Sequence, residues 1–223
     1  MDIYAHKDNS FDNIEHIGIA ITDVSEAQNH IGILYKISEE QSVQILHLGW
    51  NRLLLNQIAS DKPKYLWLHC GLDPYSKSSL AAFCQLVIDV NGRDRINYGI
   101  DLVGHGFEHS TGKWVPKKLS DGLTCASFIM EIFSAQGHIL IDLETWESRD
   151  SDAQWQDYIL TLLSEELGND HSYIIEQREK IGCYRFRPEE VAAAAAQDSY
   201  PVSFNDCVRF SQEIVSAIED SKK

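Results

Sequence analysis

Basic residues are scarce in this chain: 19 Lys and Arg stand against 34 Asp and Glu, a formal charge of −15 over 223 residues. No basic stripe is there to neutralise phosphates, which argues against a nucleic-acid ligand and disfavours docking on anionic lipid. No apolar run approaches the length that a membrane helix needs, so membrane insertion is not expected. The opening Met-Asp-Ile-Tyr-Ala-His-Lys-Asp-Asn lacks the basic and then apolar profile of a signal peptide. The sequence therefore predicts synthesis in the cytoplasm, with action elsewhere depending on a specialised secretion system. Cysteine is present without pattern: Cys70, Cys84, Cys125, Cys183 and Cys207 are odd in number and contain no Cys-x-x-Cys pair. That spacing fits neither a disulfide framework nor a cysteine-based zinc site.

What remains is a chain with enough hydrophobic residues, 43%, for a substantial core. Its first half alternates β-branched runs with polar turns: 16–22, 30–37, 43–50 and 64–69 read as strands. From Ser78 the period changes, with Leu80, Phe83, Cys84, Val87 and Ile88 at helical spacing and Asn91-Gly92 as the stop. Residues 97–120 read as a long loop, a helix starts at Cys125 and ends near Gly137, and another surrounds Trp155 to Leu163. A strand at 183–187 then leads to a Pro188 helix with an alanine run and a last helix over 204–219. With no linker or domain-sized repeat, the reading is one α+β domain over 1–223: a core at 14–136 and a helical elaboration at 150–220.

Chemistry concentrates at three points. Cys125 follows Asp121-Gly-Leu-Thr and opens an apolar helix. Unpaired backbone N–H groups and the helix dipole favour a thiolate there. Cys125, Phe128, Ile129, Ile132 and Phe133 share one helical face, which turns the thiol toward the sheet. Cys84, mid-helix in an apolar stripe, reads as core. Pairing 30–37 with 43–50 sets His30 opposite His47, close enough for one imidazole to orient the other. The plainer reading is that each histidine merely ends a strand at a solvent edge. Pairing about Asp23 sets His16 opposite His30, so His16 is a substitute base or orienter. Three histidines on adjacent strands also raise zinc, against which stands the lack of a His-x-His pair. His105 and His109, flanked by glycines, read as solvated loop residues. Trp146 and Trp155 either cap the core or line a groove.

His-Ile-Gly-Ile opening one strand, Leu-His-Leu in a second, and a later cysteine opening a helix resemble the circularly permuted papain-like fold. That group contains permuted relatives of NlpC-type cell-wall peptidases and lecithin:retinol acyltransferase-like enzymes. The resemblance spans 14–50 and 119–136, and it implies an antiparallel papain-like sheet packed against the cysteine-bearing helix, with extra C-terminal helices. It makes Cys125 the nucleophile, His30 the general base and His47 its orienter, with no cofactor. It further implies a cysteine hydrolase acting on peptidoglycan peptide stems. Without a signal peptide, that suggests an exported antibacterial effector toxin with a secretion-system carrier and a cognate immunity protein. The cysteine motif is neither the Asn-Cys-Glu-His of the acyltransferases nor the Asp-Cys-Ser-Gly of NlpC enzymes. Acyl transfer or thioester cleavage on a lipid-like substrate, or a non-catalytic binding protein, are the alternatives.

Overall fold

A computed structural model describes residues 1–25, 28–62, 64–102, 106–168 and 171–222. Six antiparallel strands form one sheet: β1 (Ile3–Ala5), β2 (Ile17–Ser25), β3 (Gln28–Tyr35), β4 (Gln44–Trp50), β5 (Leu53–Ile58) and β6 (Leu66–His69), in the order β1-β6-β2-β3-β4-β5. Six helices accompany it: α1 (Pro74–Asn91), α2 (Cys125–Ala135), α3 (Asp150–Leu167), α4 (Ser172–Arg178), α5 (Pro188–Ala195) and α6 (Phe204–Asp220). The α+β class, the antiparallel sheet against the cysteine-bearing helix and the C-terminal helices are as expected.

Period-two alternation divides the strands between two cores. Ile17, Ile19 and Ile21 of β2 lie beside Tyr35, Ile33 and Ile31 of β3 and face the helices. Ala20, Leu34, Ile45 and Trp67 point the other way, onto Phe11, Ile14, Val43, Ala59 and Tyr65. On the helix face α2 is buried around its circumference from Cys125 to Phe133, Ser127 and Glu131 included. Thr124 starts it with a capping box: its hydroxyl accepts the Ser127 N–H, and the Ser127 hydroxyl accepts the Thr124 N–H. α5 packs on β2, β3 and α2. Its alanines allow close approach, and Gly71 is needed opposite, since a Cβ there would stand 1.7 Å from the Gln197 carbonyl oxygen. α5 and α6 contribute Val191, the alanine run, Phe204 and Ile214 to the helix-side core. The C-terminal region therefore completes that core rather than decorating it.

Four local expectations change. β1, β5 and α4 are present where none was expected. β5 follows a turn with Arg52 at φ 52°, and its polar Asn56-Gln57 breaks the alternation that marks a strand. Residues 183–187 form no strand, because their carbonyls go to side chains instead of a ladder. Gln156 donates to the Cys183 carbonyl at 2.9 Å and Trp146 Nε1 to that of Arg185 at 3.1 Å.

Candidate active site

Cys125 is the first residue of α2, and backbone N–H groups of two elements lie near enough to its sulfur to favour the thiolate. Those of Cys125 and Ala126 come from the helix start, and that of Ile31 from β3. The N–H of Ile31 is available because paired residues of β3 and β4 stop at Ile33↔Leu46. These donors, with Arg185 nearby, favour the thiolate, but burial outweighs them and pushes the thiol up to about 11. The thiolate expected from helix position alone is thus corrected: with 7% of its surface exposed, Cys125 is protonated at neutral pH in this closed arrangement. Cys84 is fully buried core, as expected.

His30 and His47 meet: His30 Nε2 lies 2.7 Å from His47 Nδ1, one ring edge-on to the other. They are not directly opposite. His30 pairs with Thr22 of β2, and the β3–β4 register brings Gly32 beside His47, where a Cβ would stand 3.2 Å from the His47 Cβ. Burial drives both imidazoles down, His30 to about 3 with His47 adding to the effect, and His47 to about 4 although the nearby Gln57 side chain opposes the shift. Both rings are neutral at physiological pH. The Tyr65 ring stands 6.4 Å from His30 and 6.5 Å from His47.

The alternation that sends Ile31 to the helix side sends His30 and His47 to the opposite face, among the Tyr65 and Leu34 cluster. No hydrogen bond joins Cys125 to either imidazole among the described residues; the link is the peptide between His30 and Ile31. Thiol and far-face groups are nevertheless within electrostatic reach, since Tyr65 is raised by burial and then by Cys125. His16 is removed from the site. It lies at the other end of β2 with φ 61°, its carbonyl accepting the Lys36 N–H and its Nδ1 3.2 Å from the Lys36 carbonyl oxygen. The expected pairing about Asp23 fails because β2 and β3 run on to Ser25 and Gln28 before turning. His105 lies outside the described residues, and His109 Nδ1 meets the Ala135 carbonyl. No group of three His, Cys, Asp or Glu able to hold a metal ion occurs among the described residues.

A cavity of about 10 Å³ adjoins the thiol, bounded by Asn29, Tyr98, Trp155, Arg185 and Pro188. That is room for one water molecule at most. Trp155 therefore lines the site, while Trp146 packs with Phe186 and Phe204 in the core. The covering segment is fastened by Asp152, 2% exposed, which accepts from Arg149 Nε at 2.7 Å and Arg187 Nη2 at 2.9 Å and lies 3.4 Å from Arg185 Nη1. Arg149 also reaches Glu190. Gln57, Tyr65, Tyr98, Arg185 and Asp152 were not among the sequence-derived candidates. The nearest signal was the cluster Arg185-Phe186-Arg187 in a chain poor in cations. No protein-family model, curated protein or solved structure matches this chain.

Proposed function

We propose that the chain is a cysteine hydrolase of amidase or endopeptidase type, with Cys125 as nucleophile in a permuted papain-like arrangement. The observation that carries the reading is the position of Cys125 as first residue of a capped helix, where the nearby Cys125, Ala126 and Ile31 N–H groups favour its thiolate. Cys84, the buried thiol of α1, has no such donors. In this reading access of water to the site removes the burial that holds the proton, and the same donors then favour the thiolate. His30, on the far face in the closed arrangement, takes the proton once the site rearranges, and His47, 2.7 Å from it, holds the ring and its tautomer. The thiolate attacks an amide carbonyl and backbone N–H groups at the α2 start receive the oxyanion; the C–N bond then breaks as the His30 imidazolium returns its proton to the departing amine, and water, deprotonated by His30, releases the acyl group as an acid and restores the thiol.

The substrate assigned is the peptide stem of bacterial cell wall, supported by the order of the His30 and His47 strands and the later Cys125 helix, which resembles the permuted relatives of NlpC-type peptidases. The test incubates native protein and Cys125→Ala with purified peptidoglycan and, separately, with short acyl esters, and reads released products by mass. Stem fragments from the native protein alone are expected. Ester turnover without stem cleavage transfers the reading to lipid-like acyl substrates, and equal release by Cys125→Ala ends it. A binding protein that keeps the shell is the second reading. It is favoured by the raised thiol, the neutral imidazoles on the far face and the cavity of about 10 Å³.

A further inference from the structure

Two hydrogen-bond donors in the wall of the Cys125 cavity lack partners. Arg185 Nε and Trp155 Nε1 are buried and make no hydrogen bond, although buried N–H groups are nearly always paired. They come from distant parts of the chain and are brought together by a stack, with the Arg185 guanidinium 3.8 Å from the centre of the Trp155 ring. The rest of the guanidinium is only loosely engaged, since Nη1 lies 3.4 Å from Asp152. Trp155 and Arg185 also line a groove of about 440 Å³ on the outer side, with Gln154, Tyr158, Arg187 and Glu189. The stack is therefore the partition between the open groove and the closed thiol cavity. Both orphans are donors, so whatever completes them brings only acceptors. A guanidinium edge presented beside a thiol matches a carboxylate in geometry and charge better than a neutral carbonyl.

We infer that Arg185 and Trp155 form a carboxylate-reading gate, which admits substrates carrying a free carboxylate close to the bond that Cys125 attacks. The inference rests on the hydrolase reading, to which it adds substrate class, and its test needs no turnover. The acidic groups near Arg185 are Asp152 and Glu189, and Arg149 and Arg187 both engage Asp152. Asn29 takes Glu189 at 2.9 Å, so the acids have partners of their own and Arg185 Nε does not.

The experiment labels Cys125 with iodoacetate, which is anionic, and with iodoacetamide, its neutral counterpart of similar size, and reads each rate by peptide mass spectrometry. The quantity is the iodoacetate-to-iodoacetamide ratio in native protein divided by the same ratio after unfolding in urea. A gate of this kind raises that quotient to about tenfold, against the repulsion expected from the net charge. Arg185→Gln returns it to about one, and Trp155→Phe, which keeps a ring under the guanidinium and removes Nε1, lowers it partway. A native quotient of one or below overturns the inference and leaves the cavity with a water molecule only. So does an unchanged quotient in a folded Arg185→Gln, or complete protection from both reagents. If Arg185→Gln fails to fold, the native quotient and Trp155→Phe still decide. Failure here with stem cleavage intact removes the gate and keeps the hydrolase; the reverse result keeps an anion-selective pocket without the enzyme.

Discussion

On the helix side of the sheet, isoleucines of β2 and β3 meet α1, α2 and α5 in a continuous apolar core that holds four thiols, of which Cys125 alone stands at a helix start. On the other side a smaller cluster around Trp67, Leu34 and Tyr65 surrounds two neutral imidazoles in contact. The same strands build both, and alternation alone decides which side chain goes where. Both faces press their ionisable groups toward the uncharged form, the thiol up and the imidazoles down, because both are dry. The thiol and the two imidazoles are thus held on opposite faces in their neutral states, with His30 and Ile31 adjacent on the strand between them. A thiol and an imidazole on the same face, exposed to water, would react with any electrophile that arrived.

The largest effect is expected at Asp152, which holds Arg185 beside the Cys125 cavity. Asp152→Ala leaves three arginine side chains without their shared acceptor and is expected to cost about 3–5 kcal/mol, read by urea denaturation. Phe128→Ala on the helix face and Trp67→Ala on the far face should each cost about 3–5 kcal/mol. They should separate in consequence, the first exposing Cys125 to alkylation and the second disturbing the histidine pair, read in imidazole NMR signals.

Acid sharpens the difference between the faces. Each imidazole is depressed in the folded protein relative to the unfolded chain, so the unfolded state binds more protons as pH falls. Stability is full above about 6.5 and is lost from there toward the folded values of about 3 and 4. The expected slope is up to about 1.4 kcal/mol per pH unit for each ring. Denaturation midpoints between pH 7 and pH 4 should show it, and His30→Gln should flatten it. The raised thiol contributes nothing in that window, because it is protonated in both states.

Gly32→Ala is a smaller probe. Its Cβ would stand 3.0 Å from the Ile45 side chain and 3.2 Å from His47 Cβ, and about 1–3 kcal/mol is expected, with a changed His47 signal. His16→Gly should shift stability by less than about 1 kcal/mol, since the residue sits at a backbone angle that glycine adopts freely, and should leave Cys125 labelling unchanged.

Much of this was legible from the sequence because period and spacing are local. The isoleucine alternation of β2 and β3, the stripe of α1 and the capped start of α2 all announce themselves. The histidine contact was legible for a subtler reason. The actual β3–β4 register, Tyr35↔Gln44, is displaced by two residues from the expected one, and a displacement of two preserves the face. His30 and His47 became diagonal neighbours instead of opposite ones and still touch. The larger displacement at the β2–β3 turn carried His16 to Lys36, out of range. Burial was not legible. Whether a helix-start cysteine is a thiolate depends on what covers it, and the cover comes from Tyr98, Trp155 and Arg185, on segments whose path no local pattern fixes. The strand expected at 183–187 failed similarly, because its hydrogen bonds go to Gln156 and Trp146 from elsewhere in the chain.

On the hydrolase proposal, Cys125 is a nucleophile closed off by Trp155 and Arg185, which Asp152 helps to hold in place. The most direct measurement is competitive iodoacetamide labelling of all five cysteines at pH 7, in native protein and in Arg187→Gln, which removes one partner of Asp152. Cys125 should label more slowly than half-buried Cys183 in the native protein and overtake it in the variant, with Cys84 protected in both. A Cys125 that stays as protected as Cys84 in Arg187→Gln would contradict the account and leave an inert core thiol.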